Sequence, residues 1–304
     1  GMSRKSDRFI ANPPRACVIP LIYKILSGLV MVLQLAGCKA TYDLGVYEQS
    51  LLALGGPDGV NQSAALLDQS IVSAEMVSAI IPPGVYADHG ILLHMAGNKA
   101  EAIKQISKES ALYPESKQFT DNLLRFIRNT GAQPSGDSSS RHRNPSVLVL
   151  PPINKSGKPE AGPAFEMTLN RQFIERGYYV FPTLATQALL SGTGAMPADM
   201  SVAGPSYLHK LTGADAILSV TITEWEPTWM IIPLIRVAAE YKLVDIATGQ
   251  DIWKSTARDE FDPTVTGGGG PVTVMDKDLR VPARRLTAKA LKSSENGLPY
   301  GPYH

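Results

Sequence analysis

The chain has 304 residues, with 29 Lys and Arg against 28 Asp and Glu and a formal net charge of +1. A balance this close, with no dense basic face, excludes the electrostatic footprint of nucleic-acid binding. The two cysteines are Cys17 and Cys38, so everything after Cys38 lacks a thiol for a disulfide, a thiolate metal site or a nucleophile.

The N-terminus carries basic residues (Arg4, Lys5, Arg8, Arg15, Lys24) ahead of the apolar run from Ile25 to Leu33. That run is too short to cross a bilayer, which takes roughly 20 apolar residues. Positive flank, short apolar core and small residues behind it predict a secretory signal over residues 1–37. Leu35-Ala36-Gly37-Cys38 resembles the bacterial lipobox. The resemblance implies cleavage before Cys38 and acylation of its thiol, a covalent lipid and no other cofactor. Lys39 stands where Asp would signal retention, which resembles sorting to the outer membrane. No later apolar stretch reaches spanning length, so the expectation is a lipid-anchored protein on the periplasmic face of that membrane.

Residues 38–130 read as helical. Glu48 to Leu54, Ala64 to Ile81 and Lys117 to Arg128 carry apolar residues at three- and four-residue spacings. Within this half, Tyr86, Gly90, Leu93, Ala102, Ile106 and Pro114 resemble the large, small, large, small, large and proline positions of one tetratricopeptide repeat. Gly90 and Ala102 would let two antiparallel helices approach, with the larger residues filling the space around them. Glu109 departs from the pattern, since the family places alanine there. Helical hairpins of this type usually bind proteins.

From Thr130 to Ser140 the sequence turns to Gly, Ser, Pro and Gln, too polar to offset the entropy of ordering. Residues 131–144 therefore read as a linker between two domains. Residues 145–304 follow a different grammar. Ser146 to Leu150 is a short apolar run ended by Pro151-Pro152, as in a buried strand. Phe165, Leu169 and Phe173 recur on one helix face ahead of Gly177, and Tyr178 to Phe181 reads as a second, parallel strand. Shorter helices follow near Leu184 to Leu190 and Pro205 to Leu211. Ala216 to Thr223, Arg236 to Leu243 and Asp251 to Lys254 then alternate as an antiparallel meander. The fold class expected is two-domain α+β: an all-α, tetratricopeptide-like hairpin domain and a mixed α/β sheet.

Val147 to Pro152, Gly213-Ala214-Asp215-Ala216, and Tyr241 to Trp253 with its Asp-x-x-Thr-Gly-Gln turn resemble the periplasmic α/β domain shared by curli secretion channel lipoproteins and the TolB amino-terminal domain. The run from Pro145 to His304 more specifically resembles a bacterial lipoprotein family of unknown biochemical function. Gly37-Cys38 and Tyr42-Asp43-Leu44-Gly45-Val46-Tyr47 resemble a second, smaller lipoprotein family. Genes of both accompany a curli-channel-like lipoprotein, so this chain looks like two partners fused. The resemblance implies an accessory or assembly role at such a channel, homo-oligomer formation among its contacts, and no catalytic residues.

Motifs for chemistry are sparse. Lys155-Ser156-Gly157-Lys158-Pro159 lacks the spacing of a phosphate loop, and Gly267 to Gly270 follows no strand. His89 and His94 lie five apart on a helix, on different faces, and read as surface residues rather than metal ligands. Glu224 and Glu226 share a strand face as acid/base carboxylates would, which leaves an envelope hydrolase with a site at the edge of the C-terminal sheet as the alternative. The apolar segment Trp225 to Ile235 reads either as core or as a contact surface, with Trp225, Trp229 and Met230 as candidate protein-binding residues.

Overall fold

The computed structural model describes residues 42–128, 145–192, 200, 203–228, 234–262, 278–293 and 295–304. The signal segment 1–37, Cys38, the linker 131–144, Gly267 to Gly270, Trp229 and Met230 lie outside these residues.

The first half is helical. Helix α1 (Leu44–Ala53) starts at Asp43, whose carboxylate accepts from the Gly45 amide at 2.7 Å and so satisfies an orphan donor. Helix α2 (Gly59–Met76) runs back along it, tied by Ser63 Oγ donating to the Ser50 carbonyl at 2.6 Å. Helices α3 (Val85–Met95) and α4 (Lys99–Leu112) form the expected hairpin. Gly97 takes the left-handed conformation in its turn, and Asn98 caps α4. A Cβ on Gly90 would stand 2.6 Å from Ile106 Cγ1 and 3.0 Å from the Ala102 carbonyl, so glycine is what permits this crossing. Ala102 and Ile106 are buried and Leu93 is half-buried. Tyr86 faces another way: it packs among α1 and α2 and donates to Glu75 on α2 at 2.7 Å. Pro114 opens a 3-10 turn (Pro114–Ser116) that ends α4 and leads into α5 (Lys117–Arg128).

The second half is a mixed sheet. Strand β1 (Val147–Val149) pairs in parallel with β3 (Ala216–Thr228), and Val180 bridges the other side of β1, also in parallel. Pro151-Pro152 interrupts this edge, which resumes as the short β2 (Ile153–Asn154), again parallel to β3. Strands β4 (Leu234–Asp245) and β5 (Asp251–Phe261) complete the antiparallel meander. Helix α6 (Ala161–Glu175) crosses from β2 to Val180, α7 (Thr183–Gly192) and α8 (Pro205–Thr212) lead to β3, and α9 (Arg280–Leu291) follows β5. The meander strands β3, β4 and β5 run longer than the sequence pattern indicates, β1 is shorter, the expected strand Tyr178 to Phe181 is a single bridge at Val180, and α9 and β2 are additions.

Alternate residues of a strand point to opposite faces, and here both faces are used. Val147, Val180, Ala216 and Leu218 enter one core with Phe165, Leu169 and Phe173 of α6 and Leu286 of α9. Leu148, Tyr179, Phe181 and Ile217 enter a second core, with α7 and α8 and with Ile91, Ala102, Ile106, Phe119, Leu123 and Ile127 of the first half. The halves thus share one apolar cluster.

Trp225 corrects the reading of its segment. It lies inside β3, 1% exposed, and meets Phe165 edge to face. The cause is a bulge: Ile222 pairs Ala239 and Glu224 pairs Ala238, leaving Thr223 unpaired. The extra residue shifts the alternation by one, so Trp225 rather than Glu224 or Glu226 turns into the core. Trp225 is therefore not a protein-binding residue of this chain's surface.

Gly90→Ala should force a shift of Ile106 or of the α4 backbone, at about 1–3 kcal/mol. Urea denaturation checks this, with a lower midpoint and unchanged slope expected.

Candidate functional site at the junction of the two halves

Three buried carboxylates from the first half hold the second. Asp88, in the first turn of α3, has no exposed surface. Its Oδ2 accepts from Tyr47 Oη at 2.6 Å and its Oδ1 from the Ala185 amide at 2.7 Å. Ala185 is the third residue of α7, and the residue before that helix is Pro182, which offers no side-chain acceptor. Asp88 thus supplies from another helix the cap that α7 lacks, at the positive end of its dipole.

Glu109, on α4, is equally buried. Its Oε1 accepts from the Gly84 amide at 2.8 Å, where α3 begins, and from Tyr179 Oη at 3.0 Å. The substitution of glutamate for the expected small residue is therefore a polar bridge from the hairpin to the strand position beside β1. Glu48 on α1, 2% exposed, faces Arg284 at 2.7 Å, Arg171 at 3.4 Å and Arg280 at 3.6 Å. Further along, Gln118 and Asn122 of α5 donate to the carbonyls of His209, Lys210 and Leu211 at the end of α8. Tyr303, near the C-terminus, donates to Glu115.

Burial drives the electrostatics. It pushes the Asp88 carboxyl up to about 6 against the pull of its donors. Burial pushes Glu109 up to about 7, with the nearby Asp88 charge adding to the effect. Both shifts have structural causes, and both groups lie inside the junction rather than in a cleft. A shallow cleft of about 470 Å³ opens elsewhere, between α6, α9 and the C-terminal tail, lined by Arg171, Glu175, Arg176, Arg284 and Tyr300 among others.

The other sequence candidates are placed as follows. His89 is buried, not on the surface, and its ring nitrogens make no hydrogen bond; Asp68 lies 4.0 Å away, and burial holds the ring's pKa down. His94 packs edge to face on Phe126. Glu224 is held by Arg236 of the adjacent β4 and Arg258 of β5 beyond it, both at 3.3 Å, a cross-strand ion ladder rather than an acid/base pair. Among the described residues no group of three or more His, Cys, Asp or Glu is arranged to hold a metal. No described helix is long and apolar enough to cross a membrane. The junction carboxylates were missed by motif reading because each finds its partners far along the chain. Glu109 alone left a trace, as the residue that breaks the hairpin pattern.

An all-helical part clamped by buried carboxylates to a mixed α/β sheet defines the protein as a two-part α+β chain, and each part has relatives of its own. Residues 138–279 match the family described as "Putative lipoprotein GNA1162-like". Residues 41–123 match DUF4810, a domain of unknown function. A curated lipoprotein of Neisseria meningitidis serogroup B is 32% identical over 114 residues, 37% of this chain and 53% of the relative. The chain thus spans about half the length of the curated relative that it matches. Among solved structures, lipoprotein GNA1162 from Neisseria meningitidis is 29% identical, with 41% of this chain and 88% of that one covered, at a TM-score of 0.37. PelC from Paraburkholderia phytofirmans, solved as a dodecamer, is 18% identical over 51% of this chain and 93% of that one, at a TM-score of 0.35. Glu48, Asp88 and Glu109 fall in the range that matches DUF4810; Arg171, Tyr179 and Ala185 fall in the range that matches the lipoprotein family.

Two outcomes test the junction. Glu48→Ala removes the carboxylate that Arg171, Arg280 and Arg284 share, while Arg171 keeps Glu175 and Arg280 keeps Asp278; it should cost roughly 1–3 kcal/mol, measured by thermal or chemical unfolding. Asp88 and Glu109 keep their protons to higher pH in the folded chain than in the unfolded one. Their contribution is complete below about pH 4 and is lost as pH rises through about 6 to 7. Glu109→Gln should therefore gain stability relative to wild type on going from about pH 5 to about pH 8, by about 2–4 °C in Tm for each kcal/mol released.

Proposed function

We propose that this chain is an envelope lipoprotein, acylated at Cys38, tethered to the periplasmic face of the outer membrane, and acting without catalysis as an accessory or assembly factor for a curli-like secretion channel. The observation that carries the reading is the match of its α/β half to a lipoprotein family, taken with the Leu35-Ala36-Gly37-Cys38 motif shortly ahead of α1. The helical half resembles a tetratricopeptide hairpin in the spacing of Gly90, Ala102 and Ile106, and part of its apolar surface covers the sheet. A non-enzymatic role is supported by the setting of the two perturbed carboxyls: both Asp88 oxygens and Glu109 Oε1 accept from tyrosine hydroxyls and backbone amides inside the junction rather than facing a cleft.

Docking on a channel protein with a similar sheet, or on a second copy, would use strand β5. Among the described residues it pairs with β4 and ends the sheet. Such an edge is a template for another strand. Trp229 and Met230, between β3 and β4 in sequence, are the apolar anchors of this reading.

Cys38→Ala should abolish labelling by a palmitate analogue and leave an unprocessed precursor; unchanged labelling would overturn the anchor. Affinity purification of the lipidated protein from its native envelope should recover a curli-channel-like lipoprotein, identified by mass spectrometry. Recovery of the protein without such a partner removes the accessory role.

A further inference from the structure

Four large apolar side chains crowd one corner of the first half. Val72 is 47% exposed, Met76 82%, Val77 61% and Ile80 64%. The other exposed large apolar residues, such as Leu52, Met95, Ile153 and Ile252, are scattered along the described chain, as is ordinary for a soluble surface. Val72 and Met76 lie one turn apart on α2, while Ile71 and Ala74 of the same turns point into the core. The corner continues through Val77 and Ile80 toward α3, past Ser78, whose φ of 55° breaks the helical line.

The position of this corner follows from helix lengths. Helix α1 has 10 residues and α2 has 18. The bond from Ser63 to Ser50 fixes their antiparallel register, which brings Tyr42 level with Ile71, and both belong to one cluster. The last turn of α2 therefore projects beyond the start of α1, at the end where the chain enters from Cys38. Three residues separate Cys38 from Tyr42, a span of about 14 Å when extended.

We propose that Val72, Met76, Val77 and Ile80 form a second membrane contact, resting the α2–α3 corner on the bilayer that holds the acylated cysteine. The proposal rests on the reading of Cys38 as the anchor. After cleavage there, Cys38 to Thr41 is too short a stretch to cover four side chains, so the chain's own leader is not the occupant. The nearby lysines are already paired: Lys108 binds Glu75 at 2.8 Å and Lys104 binds Glu101 at 3.3 Å, while Asp68, one turn before Val72, has its side chain 63% exposed. The contact is therefore apolar and needs no anionic lipid.

The test uses the full chain, processed and acylated in its host, carrying Val77→Cys labelled with an environment-sensitive NBD dye. Cys38 is blocked by its lipid and Cys17 is removed with the leader, so the label is unique. In phosphatidylcholine vesicles the expected result is flotation with the vesicles and a blue-shifted dye, brightened about twofold and quenched by spin-labelled lipid. High salt should change none of this. Leu52→Cys, 46% exposed at the far end of α1, should stay in an aqueous environment. Met76→Cys provides a second probe should Val77→Cys lose its native circular dichroism. Flotation with an aqueous dye at both Val77 and Met76 overturns the contact and leaves the anchor standing. Loss of flotation overturns the anchor and the contact with it. A blue shift without vesicles assigns the corner to a second copy of the chain, and equal shifts at positions 77 and 52 overturn the stated orientation; either result removes the proposal.

Discussion

Burying a carboxylate is costly unless donors meet it, and the architecture depends on three that donors meet, Glu109 through its Oε1 alone. Asp88, Glu109 and Glu48 all leave water when the helical half packs on the sheet. Each finds its donors partly in the other half: the Ala185 amide, the Tyr179 hydroxyl and the Arg171, Arg280 and Arg284 guanidiniums. The apolar cluster around Phe119, Leu123, Phe181 and Leu189 supplies attraction without direction. The carboxylates supply direction, because a small slide of one half would leave a buried charge unpaired. Attraction and alignment thus come from different residues at one surface.

The sheet makes this surface necessary. Its parallel part, at Val180, β1 and β3, buries both faces, while the meander carries exposed polar residues such as Glu240, Lys242, Lys254 and Arg258 on the face away from α6 and α9. Parallel strands are rarely stable with one face wet. In many sheets the second cover comes from helices in the same crossover; here α7 and α8 provide part of it, and α4 and α5 extend it. Leu148, Tyr179 and Phe181 would otherwise border water. The helical half is thus a structural layer of the sheet as well as a unit in its own right.

The hairpin, the βαβ unit and the meander were legible because each is written in local periodicity. Lys117 to Arg128 matches its helix, and Gly90 meets Ala102 and Ile106 as the large–small spacing requires. Position within a strand was less legible. The bulge at Thr223 leaves no compositional mark, yet it decides that Trp225 is core and that Glu224 is surface. Two prolines hid the continuation of the β1 edge at Ile153. Helix α9 was overlooked although Ala283, Leu286 and Ala290 carry a helical spacing, because Pro282 and the basic residues around it dilute the signal. The junction was illegible for a different reason. Asp88 and Ala185 are 97 positions apart and Glu48 and Arg284 are 236 apart, distances at which no pattern in one sequence links two residues.

The ion cluster at Glu48 also bears on how a single anchor can serve two parts. Glu48 sits on the first helix after the proposed lipid attachment, and its three arginines come from α6 and α9, which cover the meander and β3. The route from anchor to sheet therefore passes through one helix and one ion cluster, without using the segment between residues 128 and 145. A polar linker would let the sheet part drift by tens of ångströms; a buried carboxylate gripped by guanidiniums holds it within hydrogen-bond reach. The α/β half then has no need of an anchor of its own, since α1 already holds it at a fixed place relative to the corner proposed to rest on the bilayer. The connection of the two parts in one chain follows the same logic: it keeps them together, and the buried carboxylates decide how they sit.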